Sequence, residues 1–110
     1  MALPETMAAY TDCYEIYDRA QHDGKGIRVH VGEQKDAGIL RMRMNQARVL
    51  QRREAMRMYD RTDARYGKSE NDKFRNTIKE DTEGNWWLYV EPWGLSGLQI
   101  ESLSELADET

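Results

Sequence analysis

Arginine and methionine are concentrated in one stretch of the chain, residues 35–60, which contains no proline. These residue types lose little rotamer freedom in a helix, so the stretch predicts one long helix. At about 100° per residue, an apolar stripe recurs every seventh residue on one side of it, flanked by arginines. We define this arginine–methionine face by Met42, Val49 and Met56 with Arg41, Arg52, Arg53 and Arg57. Methionine adapts to irregular apolar surfaces and arginine bonds carboxylates, so the face predicts a binding site for a protein partner.

The sequence leaves three occupants of this face open. A separate host protein would bring acidic groups to the arginines. Two copies facing antiparallel would form a homodimer through the apolar stripe, although their arginines would repel each other. The first predicted helix of the same chain could instead cover the stripe, which would then belong to the core.

A second candidate surface lies on the predicted sheet, where residues 27–31 alternate between apolar and polar as a half-buried strand does. The outward side of the sheet should gather basic and aromatic side chains. We define this basic–aromatic face by Arg28, His30, Arg75, Lys79, Trp87 and Tyr89. Aromatic rings beside basic groups can stack bases and hold phosphates, so nucleic-acid binding is the alternative function. The net charge of −4 and the lack of an RNP-like motif argue against it. The first helix or the C-terminal leucines could instead bury Trp87 and Tyr89.

Residues that could support catalysis do not form a complete motif. Gly67-Lys68-Ser69 matches the end of a phosphate-binding loop, but Thr62 stands where that motif needs a glycine. Cys13 is expected on the buried side of a helix, where thiols are usually inert. The histidines, His22 and His30, do not combine with other residues at the spacing of metal ligands. We therefore expect a protein that is not an enzyme and uses no cofactor or metal.

Two helices must position the first surface. A tyrosine-rich helix is expected from residue 4 to about residue 21, docking through Tyr10, Cys13, Tyr14 and Tyr17. The polar residues 63–72 after the long helix predict a mobile connector. The core side of the long helix is expected to carry Ala37, Leu40, Met44, Ala47, Ala55 and Met58, with Ile39 and Leu50 beside them.

A β-hairpin must position the second surface, with strands at residues 74–81 and 85–91. A two-residue turn would mix polar and apolar side chains on both faces. A three-residue loop with Gly84 in the left-handed conformation instead pairs Ile78 with Leu88 and separates the two kinds of side chain. The second register is therefore expected.

The order of these elements, α-β-α(long)-β-β, predicts an α+β domain with a three-stranded sheet packed on the long arginine- and methionine-rich helix. Residues 1–97 are expected to form this single domain. Residues 98–110 are expected to form an acidic C-terminal segment, either docked or mobile. Its large apolar residues are Leu98, Ile100, Leu103 and Leu106.

Composition is typical of a soluble protein in a reducing compartment. The chain has 110 residues, 33% of them charged, and its single cysteine cannot form an internal disulfide. With no apolar run of about 18 residues and no secretion signal, a cytoplasmic location without membrane contact is expected. Residues 27–65 hold ten basic and five acidic groups, a net of +5, whereas residues 86–110 hold five acidic groups and none basic, a net of −5. This segregation favours pairing within the molecule, across a dimer or with an external anion.

Three features also carry a likeness to a known group of proteins: the run of residues 41–48, the Gly67-Lys68-Ser69 connector and the Trp86-Trp87 pair. Together with the order of elements, they resemble small uncharacterised accessory proteins of tailed bacteriophages. Such proteins have no assigned catalytic residues. The resemblance implies a compact accessory or inhibitor protein in the host cytoplasm that binds a host protein or phage nucleic acid. We therefore expect a non-enzymatic interaction protein, with a host protein favoured as partner.

Overall fold

The computed structural model describes residues 3–93. It contains two α-helices, α1 (Thr11–Asp23) and α2 (Gln34–Met58), and three strands, β1 (Ile27–Gly32), β2 (Phe74–Glu80) and β3 (Trp86–Pro92). Short 3₁₀ turns precede α1 at Met7–Tyr10 and β2 at Glu70–Lys73. The predicted α+β class and element order are confirmed. The acidic C-terminal segment, and with it the predicted domain boundary, lies outside the described residues.

The sheet is antiparallel with the strand order β1-β3-β2, so β1 lies at an edge beside β3. In the hairpin, Ile78 pairs with Leu88 and Lys79 with Trp87, which confirms the register of the three-residue loop. Gly84 has a φ of +83°, the left-handed conformation that a glycine adopts without strain. Because register decides which face each side chain occupies, this loop sets the composition of both faces of the sheet.

The core lies between the two helices and the inner face of the sheet. Its buried residues are Tyr10, Cys13, Tyr17, Ala20, Met44, Ala47, Leu50, Phe74, Leu88 and Val90. The tyrosines pack as expected and also bind the backbone of α2, since the Tyr14 hydroxyl donates to the Ala47 carbonyl at 2.8 Å and the Tyr17 hydroxyl to the Met44 carbonyl at 3.1 Å. Both helices pack on the inner face, so no helix among residues 3–93 covers the outer one.

Two details of the helices differ from the prediction. The first α-helix begins at Thr11 and not near residue 4, because Tyr10 has a φ of −119° and a ψ of 25°, outside the helical region. The hydroxyl of the buried Tyr10 donates to the Pro4 carbonyl at 2.7 Å, so the chain before the helix bends around the tyrosine ring. On α2, Met58 and Ile39 are exposed, whereas the other predicted core positions are buried or partly buried.

The connector between α2 and β2 is not the free loop that its polar composition predicts. Ser69 and Asn71 are buried, and both side chains donate hydrogen bonds to Oε1 of Gln51 on α2. Ser69 and Asp72 also form a capping box around the 3₁₀ turn. Residues 69–73 are therefore anchored on α2, a tertiary contact that local composition does not reveal.

Candidate binding surfaces

The apolar stripe of the arginine–methionine face points toward solvent. Met42 is 52% exposed and Met56 is 44% exposed, while Val49 between them is partly buried. On the opposite side of the same helix, Met44 and Ala47 are fully buried in the core. The helix therefore has one apolar side inside the molecule and another outside, as its periodicity predicts.

The four arginines of this face have different roles. Arg52 donates to Asp72 from Nε at 2.9 Å and from Nη2 at 2.6 Å, and this pair fixes the connector to α2. The hydrogen bonds of Asp72 raise the pKa of Arg52 above its usual value. Arg52 is thus paired within the molecule, one of the three possibilities that the charge segregation left open.

The other three arginines remain accessible. Arg41 is exposed and has no carboxylate partner among residues 3–93. Arg53 contacts Glu5 at 3.1 Å and Arg57 contacts Glu54 at 2.7 Å, both at the surface. Exposed ion pairs of this kind contribute about 0–1 kcal/mol to stability, so a partner's carboxylates can replace them at little cost.

A pair of shallow clefts lies at the C-terminal end of α2, next to the arginine–methionine face. The first encloses about 350 Å³ and is lined by Glu5, Thr6, Met7, Leu50, Arg53, Glu54 and Arg57. The second encloses about 400 Å³, shares Met7 and Glu54 with the first, and includes Met58, which is 60% exposed. Periodicity assigned Met58 to the core and so missed this cleft, which forms only when the N-terminal segment and the connector approach α2.

The six residues predicted for the basic–aromatic face come together on the outer side of the sheet. The Arg28 guanidinium lies 3.7 Å from the centre of the Trp87 ring, and the His30 ring lies 4.9 Å from the same ring, tilted by 52°. Across the sheet, the Lys79 ammonium lies 4.5 Å from the centre of the Tyr89 ring. These contacts arise from the register, which pairs Arg28 with Tyr89, His30 with Trp87 and Lys79 with Trp87.

This geometry favours anions over stacked bases. The cations cover the rings, and the Trp87 indole is also fixed because its Nε1 donates to Asp81 at 2.9 Å. Arg28 and Lys79 have no carboxylate partner among residues 3–93, whereas Arg75 contacts Glu91 at 3.8 Å. A base could stack on Trp87 only by displacing Arg28, but a phosphate or carboxylate could bind Arg28 where it lies.

The residues that could act as a nucleophile or as metal ligands are not arranged for that chemistry in residues 3–93. Cys13 is buried in the core, and desolvation raises the pKa of its thiol to about 12. Within the described part of the chain, no three His, Cys, Asp or Glu side chains are arranged to hold a metal ion. Nor does any helix there have the length and apolarity needed to cross a membrane.

Comparison with known proteins gives no family for this chain. No protein-family model, no curated protein and no solved structure matched it. The resemblance to phage accessory proteins therefore stays a prediction.

Proposed function

We propose that this chain is a small non-enzymatic binding protein that docks on a host protein through its arginine–methionine face, in the manner of a phage accessory or inhibitor protein. The observation that carries the proposal is the exposure of Met42 and Met56 on one line of a helix whose other side forms the core. Accessible arginines border this line at Arg41, Arg53 and Arg57. An exposed apolar line with a charged rim is typical of a protein interface.

The methionines and the arginines of this face would contribute differently to such an interface. Complete burial of one methionine side chain contributes about 1.5–3 kcal/mol, so Met42 and Met56 would form the apolar centre. The arginines would orient the partner and accelerate association more than they add affinity. A fitting partner therefore presents an apolar groove or helix with carboxylates along its border.

The proposal is tested by the double variant M42D/M56D, which places charge in the centre of the face without touching the core. We expect the affinity for the captured partner to fall about a hundredfold, equivalent to about 2.8 kcal/mol. Affinity capture from a bacterial host lysate identifies the partner, and titration calorimetry with the purified partner measures the loss. The matched control is M58D, since Met58 is more exposed than Met42 or Met56 but lies outside the face. Equal losses in both variants would refute the proposed interface.

A second candidate function is the binding of nucleic acid on the basic–aromatic face. It is supported by Arg28 and Lys79, which lack carboxylate partners among residues 3–93 and lie over aromatic rings. Binding directed at phosphates would show little sequence preference and would weaken steeply between about 50 and 200 mM salt. Gel shifts with random single- and double-stranded DNA and RNA, comparing the protein with R28A/K79A, test this candidate. Binding that is insensitive to both salt and these substitutions would contradict it.

A further inference from the structure

The outer face of the sheet is a basic and aromatic surface that no helix of the described chain covers. Its central strand supplies Trp87 and Tyr89, and its edge strands supply Arg28 and Lys79 as cations without carboxylate partners in that part of the chain. The carboxylates nearest this face are already engaged, since Glu91 contacts Arg75 and Asp81 accepts from Trp87. The face therefore has unmatched positive charge beside apolar ring edges.

The chain leaves the sheet on this same face. Trp93 follows β3, and its backbone N–H donates to the Lys73 carbonyl at 2.9 Å, so the exit point is fixed beside the start of β2. The Arg75 guanidinium lies 5.8 Å from the centre of the Trp93 ring, and Trp93 is 54% exposed. Arg75 belongs to the outer face by its register with Glu91. Residue 94 onward therefore starts at the border of the basic–aromatic face.

The sequence that follows is complementary to the face in charge and in polarity. Residues 94–110 contain no basic residue, and their carboxylates, Glu101, Glu105, Asp108 and Glu109, are interleaved with Leu98, Ile100, Leu103 and Leu106. The carboxylates match Arg28 and Lys79, whereas the apolar side chains match the ring edges of Trp87 and Tyr89. Glutamate and aspartate bind such cations through charge-assisted hydrogen bonds.

Length and tethering permit the contact. The distance along β3 from Trp93 to Trp87 is about 20 Å at about 3.3 Å per residue. Residues 94–110 span about 25 Å as a helix and about 55 Å when extended, so either form reaches across the face. A short tether also gives the segment a local concentration in the millimolar range, so that individually weak contacts suffice.

We propose that residues 94–110, which include the acidic C-terminal segment (residues 98–110), dock on the basic–aromatic face of their own chain. In the docked state their carboxylates contact Arg28 and Lys79, and their leucines contact the ring edges of Trp87 and Tyr89. The segment then excludes other polyanions from this face unless they compete with it. The arginine–methionine face lies on the solvent side of α2 and stays available in both states.

The proposal is tested in the full chain with a nitroxide spin label attached at S104C in a C13A background, by NMR. We expect the label to broaden the signals of the Trp87 indole N–H and the Tyr89 amide, while the Met56 amide remains sharp. A second sample mixes spin-labelled chains that lack ¹⁵N with ¹⁵N chains that carry no spin label, so it reports only contacts between molecules. Broadening of the same signals in this mixed sample would show that a second copy is the occupant and would overturn the proposal. Raising the salt to about 1 M should remove the broadening, because screening shortens the range of charge attraction.

Charge reversal supplies the matched comparison. R28E/K79E should abolish the broadening, whereas K35E/R61E, which changes the net charge equally at exposed positions away from the face, should preserve it. If R28E/K79E loses its native amide spectrum, the tail variant E101Q/E105Q/D108N/E109N tests the same contact with residues 3–93 unchanged. Persistent broadening in R28E/K79E or in the tail variant, no broadening in the parent, or broadening centred on Met56 would each overturn the proposal. The proposal would also be overturned if nucleic acid bound this face with the same affinity in the full chain and in a chain lacking residues 98–110.

Discussion

The hydroxyl of Tyr17 shows how single polar atoms hold this small core together. It donates to the Met44 carbonyl of α2 at 3.1 Å and accepts from the Asn76 side chain of β2 at 2.9 Å. One buried oxygen thus connects α1, α2 and the sheet. The spacing of the tyrosines predicts that they pack, but it does not predict this bond, because the partners are 27 and 59 residues away in sequence.

Substitution of Tyr17 by phenylalanine should lower the free energy of unfolding by about 1–2 kcal/mol, because the Met44 carbonyl and one Asn76 N–H lose a partner in a buried site. Thermal and urea unfolding measure the loss. Tyr66→Phe is the matched control, since the Tyr66 hydroxyl has no hydrogen-bond partner among residues 3–93. An unchanged melting temperature in Tyr17→Phe would show that the hydroxyl is not needed.

Asp81 makes the stability of the hairpin depend on pH. Its carboxylate accepts hydrogen bonds from the Trp87 indole and the backbone N–H groups of Glu83 and Asn85, each at 2.9 Å. These bonds lower the pKa of Asp81 from 3.8 to about 2, and the bond from Trp87 has the largest effect. A carboxyl whose pKa is lower in the folded state stabilises the fold above its unfolded pKa, and this contribution is lost as the pH falls toward 2.

We expect the melting temperature to fall between pH 4 and pH 2, by a smaller amount in Asp81→Asn than in the parent protein. The comparison is made by circular dichroism at matched ionic strength. Asp63 offers a second test outside the hairpin: Arg65 lowers its pKa to about 2, so D63N should also reduce the fall. If the parent and Asp81→Asn follow parallel curves, Asp81 does not contribute to the acid sensitivity.

Among the secondary-structure elements, α2 is the clearest example of what the sequence predicts and what it leaves out. Its composition predicts its length, and its period predicts that Met42 and Met56 face outward while Met44 and Ala47 face inward. Ile39 was placed too near the core, because at about 100° per residue it lies about 140° around the helix from Met44. Met58 lies on the core side of α2 by its position in the helix, but it lines an open cleft. The periodicity predicts which way a side chain points, but it does not predict whether another part of the chain packs against it there.

The connector shows the other limit of local pattern. Its polar residues resemble those of a free loop, yet Gln51 and Arg52 of α2 bind Ser69, Asn71 and Asp72. The register of the hairpin, by contrast, was predictable, since its alternation and its glycine act locally, although its strands, Phe74–Glu80 and Trp86–Pro92, differ from the predicted bounds by one residue. What depends on contacts distant in sequence could not be read from the sequence alone.

Arg52 and Arg53 are adjacent in sequence but should respond differently to substitution. Arg52→Ala should cost about 1 kcal/mol after solvent screening and increase amide hydrogen exchange at residues 69–73. Arg53→Ala should cost less than about 0.5 kcal/mol, because its pair with Glu5 is exposed. Hydrogen-exchange mass spectrometry with chemical denaturation measures both. Equal protection of residues 69–73 in the two variants would contradict the anchoring role of Arg52.

The two-layer arrangement of residues 3–93 leaves two candidate binding surfaces on opposite sides. The helices cover the inner face of the sheet, so the solvent side of α2 and the outer face of the sheet both remain accessible in residues 3–93. The sequence was sufficient to predict the six members of the basic–aromatic face and the outward apolar stripe. It could not predict that Arg28 and Lys79 lie over aromatic rings or that Arg52 is engaged internally, because those pairings depend on how the layers meet.

The proposed contact of Met42 and Met56 with a host protein can be tested by photocrosslinking. A photoreactive methionine analogue is incorporated in host cells, and the crosslinks formed on irradiation are identified by mass spectrometry. We expect crosslinks from positions 42 and 56 to a single host protein at sites next to acidic residues, and crosslinks from the buried position 44 only within the chain. Crosslinks to other proteins mainly from positions 7 and 58, or none from 42 and 56, would refute the proposed contact.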